Sequence, residues 1–191
     1  VISGVATGER ARQCMDSARE LLNTERGLMI CAPPYTGIPN PTDPLTSNAP
    51  GTGENGSVFC HANAWAVIAE CILGRGDRAW EYWRKVWPGT LSAEQGQDHW
   101  GKEPYVFNST VVGPARGKDF GKAGISWLTG TATWMYVAMS QHLLGVKPTR
   151  AGLVLQPCLP TGHAPMTVTR QFRGATQRIS ITDGKATSQR P

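Results

Sequence analysis

The sequence has 191 residues, 40% of them hydrophobic, and a formal net charge of +5, which is chain enough for one ordinary domain or one and a half small ones. Acids and bases alternate and no Lys/Arg run carries interleaved aromatics, which argues against a nucleic-acid partner and leaves a small anionic ligand as compatible. Cys14, Cys31, Cys60, Cys71 and Cys158 are odd in number and scattered without a CxxC pair, which argues against a disulfide framework or structural zinc site and favours a reducing cytoplasm; no apolar run approaches the ~20 residues that span a bilayer.

VISGVATGERARQ at the start lacks the apolar stretch of a signal peptide. With Val1 in place of an initiator methionine, the expectation is a chain that starts inside a longer protein. The first helix is predicted over residues 7–23, with Thr7 as its cap and Gly27 soon after its end. Ala11, Cys14, Met15, Ala18, Leu21 and Leu22 recur there at helical spacing and define one buried face. A second helix, 63–73, is apolar on nearly every side (AWAVIAECIL), so burial all round is expected. Only Gly74-Arg75-Gly76 joins it to the third, 77–86, the signature of a tight αα-hairpin. Trp80, Trp83 and Trp87 share one face of that third helix or lie just past its end; a packing role is preferred over a sugar platform. The fourth helix, 131–144, is again apolar almost throughout (TATWMYVAMSQHLL).

The connections are lopsided. Residues 24–62 and 88–130 are long, rich in Pro, Gly, Asn and Thr, and each leads into one of the two all-apolar helices. Loops of that length are functional or contain short elements of their own. Fully buried helices alternating with half-exposed ones, with the long loops on one face, is the arrangement of an α/α toroid. The inner helices then point their N-terminal ends at a pocket on the long-loop face. After Gly145, LVLQPCLP (153–160), MTVTRQFRG (166–174) and ATQRISITDG (175–184) alternate apolar and polar residues between Gly/Pro breaks and predict strands. Asp183-Gly184 is a hairpin turn signal. A small β-domain is placed from residue 148.

The chemistry gathers at the starts of the two apolar helices. His61, in ENGSVFCHANAW, precedes the second; Thr129-Gly130, in SWLTGTATW, precedes the fourth. Free N–H groups and the positive dipole end of a helix favour an anion. A hydroxyl, a glycine that admits close backbone approach and an imidazole donor complete a phosphate-sized site. Glu54, on the same face, has the groups to bind sugar hydroxyls. Each residue also has a plainer role: Thr129 as a helix cap, His61 as an interior histidine, Glu54 as a solvated surface carboxylate.

ENGSVFCHANAWAVIAECILGRGDRAWEYW, EPYVF, SWLTGTATWMYVAMSQHLLGVKPTRAGLVLQPCLP and VTRQFRGAT, in that order, resemble the inverting disaccharide phosphorylases of glycoside hydrolase family 94, including cellobiose and chitobiose phosphorylases and the related cyclic β-1,2-glucan synthases. The resemblance implies a mainly α fold: part of an (α/α)6 barrel, about four helices over 1–147, then the start of a C-terminal β-sandwich-like domain over 148–191. It implies that His61, Thr129 and the Gly130 amide bind inorganic phosphate, the co-substrate, with no other cofactor and no metal. Phosphate attacks the anomeric carbon while an aspartic acid protonates the leaving oxygen, as in an inverting glycosidase with phosphate in place of activated water. That aspartate belongs upstream of this sequence in the family, so no catalytic residue is assigned here and the chain alone is expected to be inactive. The family further implies a carbohydrate substrate and a homodimeric full-length protein. Thr52-Gly53 stands where cellobiose-type members carry an aromatic residue and a lysine, and Asn108-Ser109 follows EPYVF, so the acceptor sugar stays open. The alternatives are a cyclic β-glucan synthase module and a non-catalytic carbohydrate-binding or interaction fragment.

Overall fold

A computed structural model describes residues 1–37, 40 and 42–189. The last two residues of the predicted β-domain, 190 and 191, lie outside the described residues, as do three positions of the 24–62 connection. Helix α1 (Gly8–Leu22) has Thr7 at its N-cap, but the threonine side chain makes no cap hydrogen bond. Ala11 and Met15 are buried, and Ala18 and Leu22 pack against the core. Cys14 and Leu21, expected on that face, are exposed, Leu21 by 65%. The face is one narrow stripe at 11, 15, 18 and 22, and residues one position off it point past the neighbouring helix.

Strands β1 (Asn23–Thr24) and β2 (Gly27–Leu28) form a short hairpin. Gly27 has φ +118°, and a Cβ there would lie 2.7 Å from Val58 Cγ1, so only glycine fits. Helix α2 (Pro44–Ser47) is a single turn capped by Asp43, whose carboxylate accepts from the Leu45 amide at 2.9 Å. Strand β3 (Val58–Phe59) runs directly into α3 (Cys60–Ile72), so the second predicted helix starts earlier than position 63 and carries His61 in its first turn. Its end is a Schellman motif: Gly74, at φ +72°, donates to the Cys71 carbonyl and Arg75 to the Glu70 carbonyl. Helix α4 (Gly76–Lys85) follows at once, as the hairpin signal requires.

The 88–130 connection holds its own elements, α5 (Pro88–Gln95), α6 (Gln97–Trp100), β4 (Thr110–Val111) and a 3-10 stretch over Pro114–Asp119. Trp100, Leu91 and Val111 from this connection enter the core with Val58, Cys60 and Ala64, and this non-local burial leaves little helical periodicity in the sequence. Helix α7 (Thr131–Val137) widens into a π-helical segment, Ala138–Leu143. Both predicted inner helices depart from burial on every side: Trp65 on α3 is 43% exposed and Tyr136 on α7 is 62% exposed. Each packs one face into the core through Val67, Ile68, Met135 and Ala138 and keeps an uncovered apolar stripe. Trp80 and Trp83 stack at 5.6 Å and pack on the core, the packing role preferred above, while Trp87 reaches solvent.

In the C-terminal part β5 (Val146–Pro148) pairs with β6 (Leu153–Leu155), and the rest of the predicted 153–160 strand is irregular. Strands β7 (Met166–Phe172), β8 (Ala175–Thr182) and β9 (Lys185–Gln189) form an antiparallel meander. Its two-residue turns, Arg173-Gly174 and Asp183-Gly184, have positive φ at both positions, the backbone of a type I′ hairpin. Ile179 and Ile181 of β8 join Val146 in a separate small core. The architecture is a helical domain followed by small antiparallel sheets. No helix among the described residues is long and apolar enough to cross a membrane.

Candidate phosphate site

Three extended segments bring the two helix starts together. Val58 pairs with Val111 and Phe59 with Thr110, and the Cys60 amide donates to the Ser109 carbonyl at 2.9 Å. On the other edge of the 108–111 segment, Ser109 donates to the Ile125 carbonyl and Asn108 bridges to Ser126. The chain that enters α3 and the chain that enters α7 are therefore joined through one central strand. Asn63 locks the start of α3 further. Its Nδ2 donates to the carbonyls of Leu28 and Phe59, both at 2.9 Å, and its Oδ1 accepts from the Leu28 amide at 2.8 Å.

The result is direct apposition of His61 and Gly130. A Cβ built on Gly130 would stand 3.1 Å from His61 Cε1 and 3.4 Å from its Nδ1, so the imidazole rests on the glycine backbone. Trp65 and Trp134 hem the ring from other sides, with centroids 4.8 and 5.9 Å away. Nε2 of His61 is buried and has no hydrogen-bond partner among the described residues. Buried polar atoms are normally paired, so an unpaired imidazole nitrogen needs an account. The Gly130 amide donates to no acceptor among the described residues either.

Thr129 serves its helix: its Oγ1 accepts from the Thr131 amide at 3.1 Å and lies 2.7 Å from the Thr131 hydroxyl. Gly130, not Thr129, is the N-cap of α7; the bond to the first helical amide and a ligand role are compatible, because a hydroxyl oxygen has two lone pairs and a proton. Glu54 sits apart in the turn before β3. Its side chain is exposed, and its Oε2 accepts from Asn48 Nδ2 at 3.1 Å. His61, Thr129 and Gly130 thus come together, and Glu54 stays on the surface loop that leads to them.

Sequence reasoning passed over Glu103 and Trp127. Glu103 Oε1 accepts from the Trp127 indole N–H at 3.0 Å, and that bond holds the Glu103 carboxyl below its ordinary range. Trp127 has φ +69°, a left-handed conformation rare for an aromatic residue. No periodic or spacing signal marks such a pair, since the residues lie 24 positions apart. Elsewhere, Glu70 is a fully buried carboxylate facing Arg75 at 3.6 Å and Arg78 at 3.9 Å. It belongs to the packing of α1, α3 and α4, because Asp16 of α1 binds the same two arginines. Among the described residues no cluster of three or more His, Cys, Asp or Glu side chains could hold a metal ion.

Comparison of the sequence with known proteins identifies a family. Residues 1–145 match the model of the glycosyl hydrolase 94 superfamily, catalytic domain. The chain is 36% identical to a solabiose phosphorylase of Paenibacillus borealis, over 95% of the chain and 23% of that protein. It is 37% identical to an N,N'-diacetylchitobiose phosphorylase of Vibrio proteolyticus, over 95% of the chain and 22% of that protein. It is 30% identical to the cyclic beta-(1,2)-glucan synthase NdvB of Rhizobium meliloti (strain 1021), over 94% of the chain but 6% of that much longer protein. The chain therefore spans less than a quarter of the length of these relatives. With three quarters of its residues matched by the catalytic-domain model and identities of 30–37% over nearly its whole length, the chain belongs to the glycosyl hydrolase 94 superfamily.

Proposed function

We propose that the chain is part of an inverting glycoside phosphorylase, in which His61, Thr129 and the Gly130 amide bind inorganic phosphate and Glu54 contacts the sugar. The observation that carries this reading is the imidazole of His61 lying on Gly130 with a buried, unpaired Nε2. A tetrahedral oxyanion beside that nitrogen would take its hydrogen bond together with those of the amide and the hydroxyl. In the reaction, a phosphate oxygen forms a bond to the anomeric carbon as the glycosidic C–O bond breaks. A carboxylic acid outside this chain gives its proton to the leaving oxygen, and the product is an α-sugar 1-phosphate from a β-linked di- or oligosaccharide. Phosphate is already a nucleophile, so this side of the site needs donors that position charge and no second carboxylate.

The phosphorylase names of the relatives support the reaction class, and the helical architecture supports assigning residues 1–147 to part of an (α/α)6 barrel and 148–191 to the start of a β-domain. In this reading the uncovered stripes of α3 and α7 face the rest of the barrel, the chain alone is inactive, and the complete enzyme is a homodimer. Five free cysteines fit a cytoplasmic setting. The chemistry needs carbohydrate and phosphate and no further cofactor. The identity to the glucan synthase favours a second reading, a phosphorylase-like module of such a synthase. A complete enzyme given a panel of β-disaccharides tests the first reading. Turnover should require phosphate, and His61→Ala should raise the KM for phosphate roughly tenfold or more, the scale of one lost charge-assisted contact. Equal turnover of the panel without phosphate would refute phosphorolysis.

A further inference from the structure

We propose that Glu103 is a positioning residue for this site: its carboxylate holds Trp127, and through it the 126–130 segment, in the conformation that lays Gly130 on His61. This rests on the phosphate reading and adds a residue to it. Trp127 at φ +69° adopts a backbone that is unfavourable for an L-residue, and such conformations persist only where surrounding contacts enforce them. Its indole ring is not enforced by burial, because Trp127 is 69% exposed and the next residue, Leu128, is more exposed still. The hydrogen bond from indole Nε1 to Glu103 Oε1 at 3.0 Å is what ties the side chain down.

Glu103 in turn stands on a fixed base. Its carbonyl accepts from Nε1 of Trp100, a fully buried residue of α6, at 3.5 Å and from the Val106 amide at 3.4 Å. On the other side of Trp127, Leu128 donates to the Ser126 carbonyl at 2.9 Å, a tight turn, and Ser126 is joined to the central strand through Asn108. The left-handed residue therefore sits between a fixed strand on one side and Thr129-Gly130 on the other. Release of its indole would let the turn relax toward an ordinary φ and swing the Gly130 amide off the imidazole. The carboxylate is ionised at neutral pH, since the indole bond lowers its pKa, which makes that bond one of the stronger, charge-assisted kind.

The test is steady-state phosphorolysis by the complete enzyme with phosphate and sugar varied separately. Glu103→Ala should raise the KM for phosphate roughly tenfold, Glu103→Gln, which keeps a neutral acceptor oxygen, should raise it about two- to threefold, and the KM for sugar should stay within about twofold in both. Trp127→Phe removes the indole N–H and keeps a ring, so it should reproduce the phosphate effect and covers the case in which Glu103→Ala fails to fold. An unchanged phosphate KM in Glu103→Ala or in Trp127→Phe, with His61→Ala impaired, overturns the positioning role and leaves the phosphate reading standing. An unchanged phosphate KM in His61→Ala overturns the phosphate reading, and the inference with it. Parallel rises in both KM values would assign Glu103 to general stability and overturn the proposal.

Discussion

Gly130→Ala separates the site from the fold. The glycine has φ −75° and ψ −1°, a conformation any residue adopts, so the backbone accepts the methyl group without strain. Shrinking the unfolded ensemble by a Gly→Ala change at a compatible position stabilises by about 0.4–1 kcal/mol. Against that, the new Cβ lies 3.1 Å from His61 Cε1, where ordinary contact begins at 3.4 Å. The imidazole must give by a few tenths of an ångström, and Trp65 and Trp134 block its retreat. The two terms are of similar size, so the thermal midpoint of the chain should move by no more than a few degrees. The site has less tolerance: functional groups need placement within about 0.5 Å, and a 1 Å error costs about a hundredfold. A displacement of a few tenths predicts a KM for phosphate raised roughly five- to tenfold, about 1–1.4 kcal/mol. The assay is phosphorolysis by the complete enzyme at saturating sugar, with thermal unfolding of the same protein as control. A variant that melts like the parent and keeps its phosphate KM would refute the claim that ring and glycine form one site.

Three further outcomes follow from the packing. Asn63→Ala strips partners from three backbone groups, the Leu28 amide and the Leu28 and Phe59 carbonyls, and should cost about 3 kcal/mol in urea unfolding; a loss under about 0.5 kcal/mol would mean that Asn63 does not lock the start of α3. Burial raises the Glu70 pKa above its ordinary 4.5 more than Arg75 and Arg78 lower it. The folded state therefore holds that proton more tightly than the unfolded one, and the contribution is full below pH 4.5 and is lost as pH climbs through the folded value. Glu70→Gln should gain stability relative to the parent across that rise, and a difference that does not vary with pH would contradict the assignment. Burial pushes the Cys60 thiol up to about 12, while hydrogen bonding between Cys71 and Cys158 raises Cys71 and lowers Cys158. Timed alkylation read by mass spectrometry should label Cys158 before Cys71 and leave Cys60 for last; early labelling of Cys60 would count against its burial.

Some features were legible in the sequence because their causes are local. The Gly74-Arg75-Gly76 break announces the Schellman turn, and Asp183-Gly184 announces a hairpin, since each rests on residues that tolerate positive φ. The periodic runs of α1, α3 and α4 were visible for the same reason. Helices α5 and α6 were not, because their anchors, Leu91 and Trp100, are single residues held by partners far along the chain. The expectation of burial on every side failed at Trp65 and Tyr136 because hydrophobicity in a sequence records what a segment can pack against. It does not record which surfaces within these 191 residues cover it. At Trp65 that difference shows as an open apolar groove of about 670 Å³, lined by the first residues of the chain, α1, the 28–30 segment, α3 and Trp134.

The meeting of the two helix starts follows from more than the sequence argument used. Helix N-termini and their partial charges led to His61 and Thr129-Gly130, but two helix starts in one domain have no cause to meet merely because both are electropositive. What makes them meet is the pairing of residues 58–59, 108–111 and 123–126. These strands are too short to be stable singly, and they persist because Val58 and Val111 are fully buried between the helices and Asn63 satisfies the neighbouring backbone. Rigidity at the imidazole is thus supplied by side chains with no reactive chemistry, together with one aromatic ring against a glycine. Substitutions at Val58, Val111 or Asn63 should loosen ring and amide together, whereas a change at Gly130 disturbs their contact alone, and that contrast distinguishes a built anion site from two helix ends that happen to lie close.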